Sequence, residues 1–191
     1  MRLKGFYLGL ALLALAAGQA SAQTFNLGLE AGANFSNFIG SDVTTDNVTD
    51  SRLGFVGGGF LSLNFGNSFA IRPEILYEQK GGKDTSNNTY QLDYVEIPVL
   101  LKLSLGTPGI NPAILLGPSF SFNMVAQVAN SGNTSTITNS NGSDIGVIGG
   151  VEVDIDKFLV SGRYELGFND VATDTHIQNG TLTFLVGYAF M

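Results

Sequence analysis

The sequence predicts an all-β fold: eight antiparallel strands wound up and down into a transmembrane β-barrel, behind an N-terminal signal peptide. Three observations carry this. Apolar residues recur at every second position in eight segments, and the connections between them alternate long and polar with short and tight. Charged residues make up 13% of the chain while Gly supplies 25 of 191 residues. An ordinary soluble domain has about 25% charged residues and about 7% Gly.

The first 22 residues read as an export signal. Met1-Arg2-Leu3-Lys4 is a charged start, Phe6 to Ala17 is apolar, and Ala20-Ser21-Ala22 is a small-residue cleavage triplet before Gln23. The apolar stretch is shorter than the roughly 20 residues that span a bilayer, which argues against a retained anchor. Cleavage removes Arg2 and Lys4 and no acid, so the formal charge of −7 becomes −9. Such a charge argues against a nucleic-acid partner, because phosphate contacts need a basic face. With Cys at 0, neither a disulfide framework nor thiolate chemistry enters. Residues 23–191 suffice for one barrel domain.

Alternation places successive side chains on opposite faces of a strand. From Phe25 to Phe35 every odd position is apolar. The second run sets Leu53, Phe55, Leu61, Leu63 and Phe65 against Gly54, Gly58, Ser62 and Asn64. In the third, Phe69, Ile71, Pro73, Ile75 and Tyr77 point outward, with Arg72, Glu74, Glu78 and Lys80 inward. The fourth, Tyr94 to Leu105, opposes Val95, Ile97, Val99, Leu101 and Leu103 to Glu96, Pro98, Lys102 and Ser104. Ala113 to Phe122, Asp144 to Ile155, Phe158 to Phe168 and Thr181 to Phe190 complete the set. Pro73, Pro98 and Pro118 each lack a ladder donor, which predicts bulges near them.

Ten residues at about 3.4 Å each, tilted about 45°, rise roughly 24 Å, the height of the apolar band of an outer-membrane barrel. Residues 36–51, 81–89, 123–143 and 169–180 form the long connections. Those near Gly66-Asn67, Gly106 to Asn111 and Asp156-Lys157 are the short ones. This wiring predicts an outer-membrane address with termini and short turns periplasmic and long loops extracellular. Segment 126–143 is low in complexity and predicts a mobile loop. A soluble barrel would carry charge on its outer face; here that face is almost free of it.

Several segments together resemble the PorT-type outer-membrane β-barrel family of Bacteroidota: Gly28 to Ser36, Arg72 to Gly81, Leu92 to Lys102, Leu116 to Ser119, Asp144 to Glu152, Arg163-Tyr164 and Val186 to Phe190. The Pro73-Glu-Ile-Leu-Tyr77 and Tyr94-Val-Glu-Ile-Pro98 pieces are the most specific. The resemblance implies a fold and an envelope address, with one named member tied to protein secretion. The chain departs from the usual barrel ending, since Met191 follows Phe190.

Ten charged residues should point into the lumen: Glu30, Arg72, Glu74, Glu78, Lys80, Glu96, Lys102, Glu152, Arg163 and Glu165. Glu74 and Glu78 could serve as an acid–base pair. An ion-paired filling is the expectation, because about eight strands leave room for side chains and little else. His176, the single histidine, lies in a predicted loop beside Asp174, without a positioned nucleophile. Asp42, Asp46 and Asp50 repeat every fourth residue, unlike a calcium loop. Gly81-Gly82-Lys83-Asp84 lacks the Ser or Thr of a phosphate loop. No catalytic set, metal or cofactor is therefore expected. The expected function is non-enzymatic, either structural in the envelope or docking a partner, which includes a secretion protein. A narrow pore for ions or small solutes is the alternative, and a barrel lipase or protease comes last. The expected surroundings are outer-membrane lipid and the outer-membrane assembly machinery.

Overall fold

Strands form where alternation lets one face meet apolar surroundings while the other packs inward. The computed structural model describes residues 23–39, 48–84, 89–106, 109–130, 133–136, 142–169 and 178–190. The expected signal residues 1–22, Asp42, Asp46, Asp174, His176 and Met191 lie outside the described residues.

The described elements are all strands: β1 (Gln23–Ile39), β2 (Val48–Phe65), β3 (Phe69–Asp84), β4 (Thr89–Ser104), β5 (Ile110–Asn130), β6 (Asn133–Thr136), β7 (Ser143–Ile155), β8 (Phe158–Gly167) and β9 (Gln178–Ala189). Each long strand pairs antiparallel with its neighbours, β1 closes on β9 and β4 on β5. Eight strands therefore make a closed barrel without an open edge, and β6 adds a short ribbon to the far end of β5. Closure is what allows a sheet to sit in hydrocarbon, because every ladder finds a partner.

Exposure follows the predicted period. Leu29, Phe55, Ile75, Leu116, Val151, Val160, Phe184 and Val186 face outward, while Glu30, Arg72, Glu74, Glu96, Ser119, Glu152, Arg163 and Thr183 are buried. At the turn end, Phe158, Tyr188 and Phe190 form a chain of edge-on rings, with centroids 5.1 and 5.6 Å apart. Such rings mark the interfacial girdle of a membrane barrel. The connection from β7 to β8 is two residues, Asp156 and Lys157, and Asp156 takes the left-handed φ of 54° that this tight turn requires.

Two expectations need correction. The register runs unbroken past Pro73, Pro98 and Pro118, whereas the shifts fall between Val48 and Val56 in β2 and at Asp93/Tyr94 in β4. Near each proline the ladder skips two pairings and then resumes in phase. A missing N–H interrupts bonding locally, but the neighbouring alternation on both sides pins the register. The long connections are also shorter than expected. Strand β1 reaches Ile39, β3 reaches Asp84 and β5 reaches Asn130, where Gln127 to Asn130 pair with Asn133 to Thr136 inside the segment expected to be a mobile loop. Beyond the bilayer both faces meet water, so a strand can continue there with no apolar alternation to announce it.

Candidate functional site

Among the described residues, the lumen is where the fold gathers chemistry-bearing side chains in number. The order of residues along β3 sets its layers: Arg72 and Glu74 nearest the turns, Leu76 above them, then Glu78 and Lys80. All five are buried.

In the turn-side layer the Arg72 guanidinium reaches three carboxylates: Glu30 Oε2 at 2.8 Å, Glu74 Oε1 at 3.0 Å and Glu152 Oε1 at 2.7 Å. Its Cζ also lies 4.1 Å from the centre of the Phe60 ring. Arg163 crosses the lumen to Glu74 Oε2 at 2.6 Å and Glu30 Oε2 at 3.2 Å. Lys102 completes the layer, with its Nζ 2.8 Å from Glu152 Oε1 and 2.5 Å from Asp154 Oδ2. The planar guanidinium fork suits this bridging, since it directs separate N–H groups at separate oxygens.

Above it lies an apolar layer. Val56, Leu76 and Leu185 form one buried cluster, and Leu100, Leu115 and Ile148 another. The void between this layer and the charges is about 10 Å³, lined by Leu76, Ile148, Leu185, Glu78, Glu96 and Arg163 among others. That is about the space of one water molecule.

The second charged layer is built around Lys80. Its Nζ lies 3.2 Å from Glu78 Oε2 and 2.5 Å from Glu96 Oε2, and it also donates to Glu165. Neutral donors add to these contacts. Asn34 Nδ2 and Thr183 Oγ1 donate to Glu78 at 2.8 and 3.2 Å, Ser119 Oγ to Glu165 at 2.7 Å, and Ser121 Oγ to Glu96 at 3.2 Å. Among the described residues, Glu78, Glu96 and Glu165 are the one group whose carboxylate oxygens approach closely enough to hold a metal ion. The Lys80 ammonium already contacts all three.

The structure thus brings all ten residues of the predicted lumen set into two groups: Glu30, Arg72, Glu74, Lys102, Glu152 and Arg163 below, Glu78, Lys80, Glu96 and Glu165 above. It parts Glu74 from Glu78, so they form no acid–base pair: Glu74 is held by the arginines and Glu78 by Lys80. Asp50 falls in β2, its backbone paired with Lys83 in the glycine-bearing segment that ends β3. Sequence reasoning missed Asp154, Asn34 and Thr183 as members of these layers. It also missed the apolar layer, because Leu76 and Leu185 sit in runs that are apolar on both faces. The lumen ends at the turn side in a polar vestibule of about 270 Å³, walled by Asn26, Ser62, Asn64, Asn111 and others over Arg72 and Lys102.

Comparison with known proteins agrees with this architecture. The family described as "Outer membrane protein beta-barrel domain" matches residues 19–173. No curated protein matches in sequence. Among solved structures, Neisserial surface protein A is similar with a TM-score of 0.53 at 16% identity, over 89% of this chain and 100% of that one. Ail, the attachment invasion locus protein of Yersinia pestis, is similar with a TM-score of 0.50 at 14% identity, over 86% of this chain and 98% of that one. At such identities these likenesses speak for the fold alone. With a closed eight-stranded antiparallel barrel and a family match across most of its length, the chain belongs to the outer membrane protein beta-barrel domain family and is a protein of the outer membrane.

Proposed function

We propose that the protein is a non-enzymatic, non-conducting barrel that serves the envelope through its two ends, as a structural element or a dock for a partner. The observation that carries this reading is the filled lumen: Arg72, Lys80, Leu100, Leu115 and Leu185 are fully buried across its width. A hydrated ion needs a continuous water path, and a void of about 10 Å³ between layers is not one. Acid–base work finds little support either, because among the described residues Glu30, Glu74, Glu78, Glu96, Glu152 and Glu165 are each committed to a cation.

In this reading, residues 1–22 are removed on export, the termini and tight turns face the periplasm, and the strand extensions of β1 to β6 stand outside the cell. The assembly machinery reads the last strand, which ends in the alternating aromatics Tyr188 and Phe190. The PorT-type resemblance supports a secretion-related partner as one form of docking.

Liposome swelling tests the reading. Vesicles carrying the folded protein should swell in a small sugar or amino acid no faster than empty vesicles, and faster swelling would return the lumen to a pore. Deleting residues 126–140, which include the β5–β6 ribbon, should leave a folded barrel with heat-shifted migration on a gel. Loss of folding would make that ribbon part of the scaffold and remove it as a docking surface.

A further inference from the structure

The layer around Lys80 holds more negative charge than its cation balances. Glu78, Glu96 and Glu165 are 3%, 1% and 7% exposed, and one oxygen from each lies within 4.8 Å of the others. Among the described residues, Lys80 is the one cation within salt-bridge distance of the three. Three ionised carboxylates around one ammonium would leave two charges uncompensated, beside a void of about 10 Å³ that has room for about one water. A buried acid in that position keeps a proton instead of its charge.

The neighbouring strands do not supply the missing positive charge. On β8, Arg163 lines the same void but is committed to Glu74 and Glu30 in the turn-side layer. On β2, Arg52 donates to the Lys80 carbonyl and pairs with Asp93. The other groups that face the layer are neutral: Asn34 on β1, Tyr94 on β4, Ser119 and Ser121 on β5, and Thr183 on β9. Toward the loop end of β7, the buried Asp144 is a further acid.

Geometry also says where the proton goes. The carboxyl groups of Glu78 and Glu96 are in hydrogen-bond contact with one another. Two ionised carboxylates cannot make that contact, because each only accepts; a protonated one donates to the other. Asn34 Nδ2 and Thr183 Oγ1 already donate to Glu78, which makes Glu78 the acceptor and Glu96 the donor. We infer that the folded barrel holds one proton on Glu96, shared with Glu78, at a neutral pH where the unfolded chain holds none, so that the scaffold weakens toward alkaline pH. The sign follows from linkage. The stability tied to this proton is complete below the unfolded glutamate value of about 4.3, and is lost as pH rises until the folded barrel releases the proton.

Infrared difference spectroscopy of the folded barrel, with and without isotope-labelled glutamate, reads the proton directly. At neutral pH the wild type should show the carbonyl stretch of a protonated glutamic acid, and Glu96→Gln should lack it. Gln has the shape and the donor of a protonated Glu, so this variant should fold, which heat-shifted migration checks. No such band in the wild type would overturn the proposal whatever the variant does, and a band unchanged in Glu96→Gln would overturn it too. Unfolding in urea gives a second reading. Between about pH 5.5 and 7 the unfolding constant of the wild type should rise about tenfold per pH unit relative to that of Glu96→Gln. Equal slopes would contradict the shared proton. The inference rests on the dry lumen of the proposed function, and the two fail separately. Swelling vesicles would strike that reading, whereas a missing band in a barrel that passes no solute strikes this one alone.

Discussion

Near the turns, three cations face four carboxylates: Arg72, Arg163 and Lys102 against Glu30, Glu74, Glu152 and Asp154. One layer higher, Lys80 faces Glu78, Glu96 and Glu165. The lower layer has overlapping partners, since Glu30 and Glu74 are each reached by two cations and Glu152 by three. The upper layer has one cation and leans on hydroxyls and an amide instead. A buried charge is tolerated only when paired and hydrogen-bonded, so the two layers should fail differently when a cation is removed.

The largest effect should come from Lys80→Met, which leaves three buried carboxylates without a cation. Unfolding in urea, followed by heat-shifted migration or circular dichroism, should reveal a loss at the upper end of about 3–5 kcal/mol. Arg72→Met should cost less, toward the lower end of about 3–5 kcal/mol, because Arg163 and Lys102 still reach its carboxylates. A lower layer as fragile as the upper would mean that the overlap of partners gives no reserve.

Carboxylates sharpen the comparison further. Glu152 is bound by both Arg72 and Lys102, and Glu152→Gln should cost about 1–3 kcal/mol. Glu96→Gln removes charge from a layer that holds it in excess, and should change stability by less than about 1 kcal/mol or raise it. Equal losses in the two variants would contradict the assignment of the excess to the upper layer. Lys102→Met should cost less than Arg72→Met. Its side chain is 11% exposed at the vestibule, where water reaches Asp154, and Arg72 still holds Glu152, so the loss should be about 1–3 kcal/mol in the same assay.

Much of this arrangement was readable before any coordinates. Period two in a closed barrel fixes which side of the wall each residue faces, so Arg72, Glu74, Glu78 and Lys80 could be placed inward from β3 alone. What alternation does not carry is height and partner. Glu74 and Glu78 look like a pair along the chain, yet one lies on each side of the Leu76 layer, because cations arriving from β3 itself and from β8 divide them. Leu76 was illegible for a related reason: between Ile75 and Tyr77 it reads as one more apolar residue in a membrane strand. The ends of β1, β3 and β5 were illegible because hydrogen-bonded ladders continue into water without an apolar face. The prolines misled in the opposite direction, since each removes a donor without moving the register.

The most direct test of a filled lumen is single-channel recording of the folded protein in a planar lipid bilayer, with insertion established independently by heat-shifted migration. The two charged layers and the apolar layer between them predict a silent membrane. Steady, reproducible conductance steps would contradict the account, and Lys80 and Arg163 would then have to be read as residues lining a path for ions.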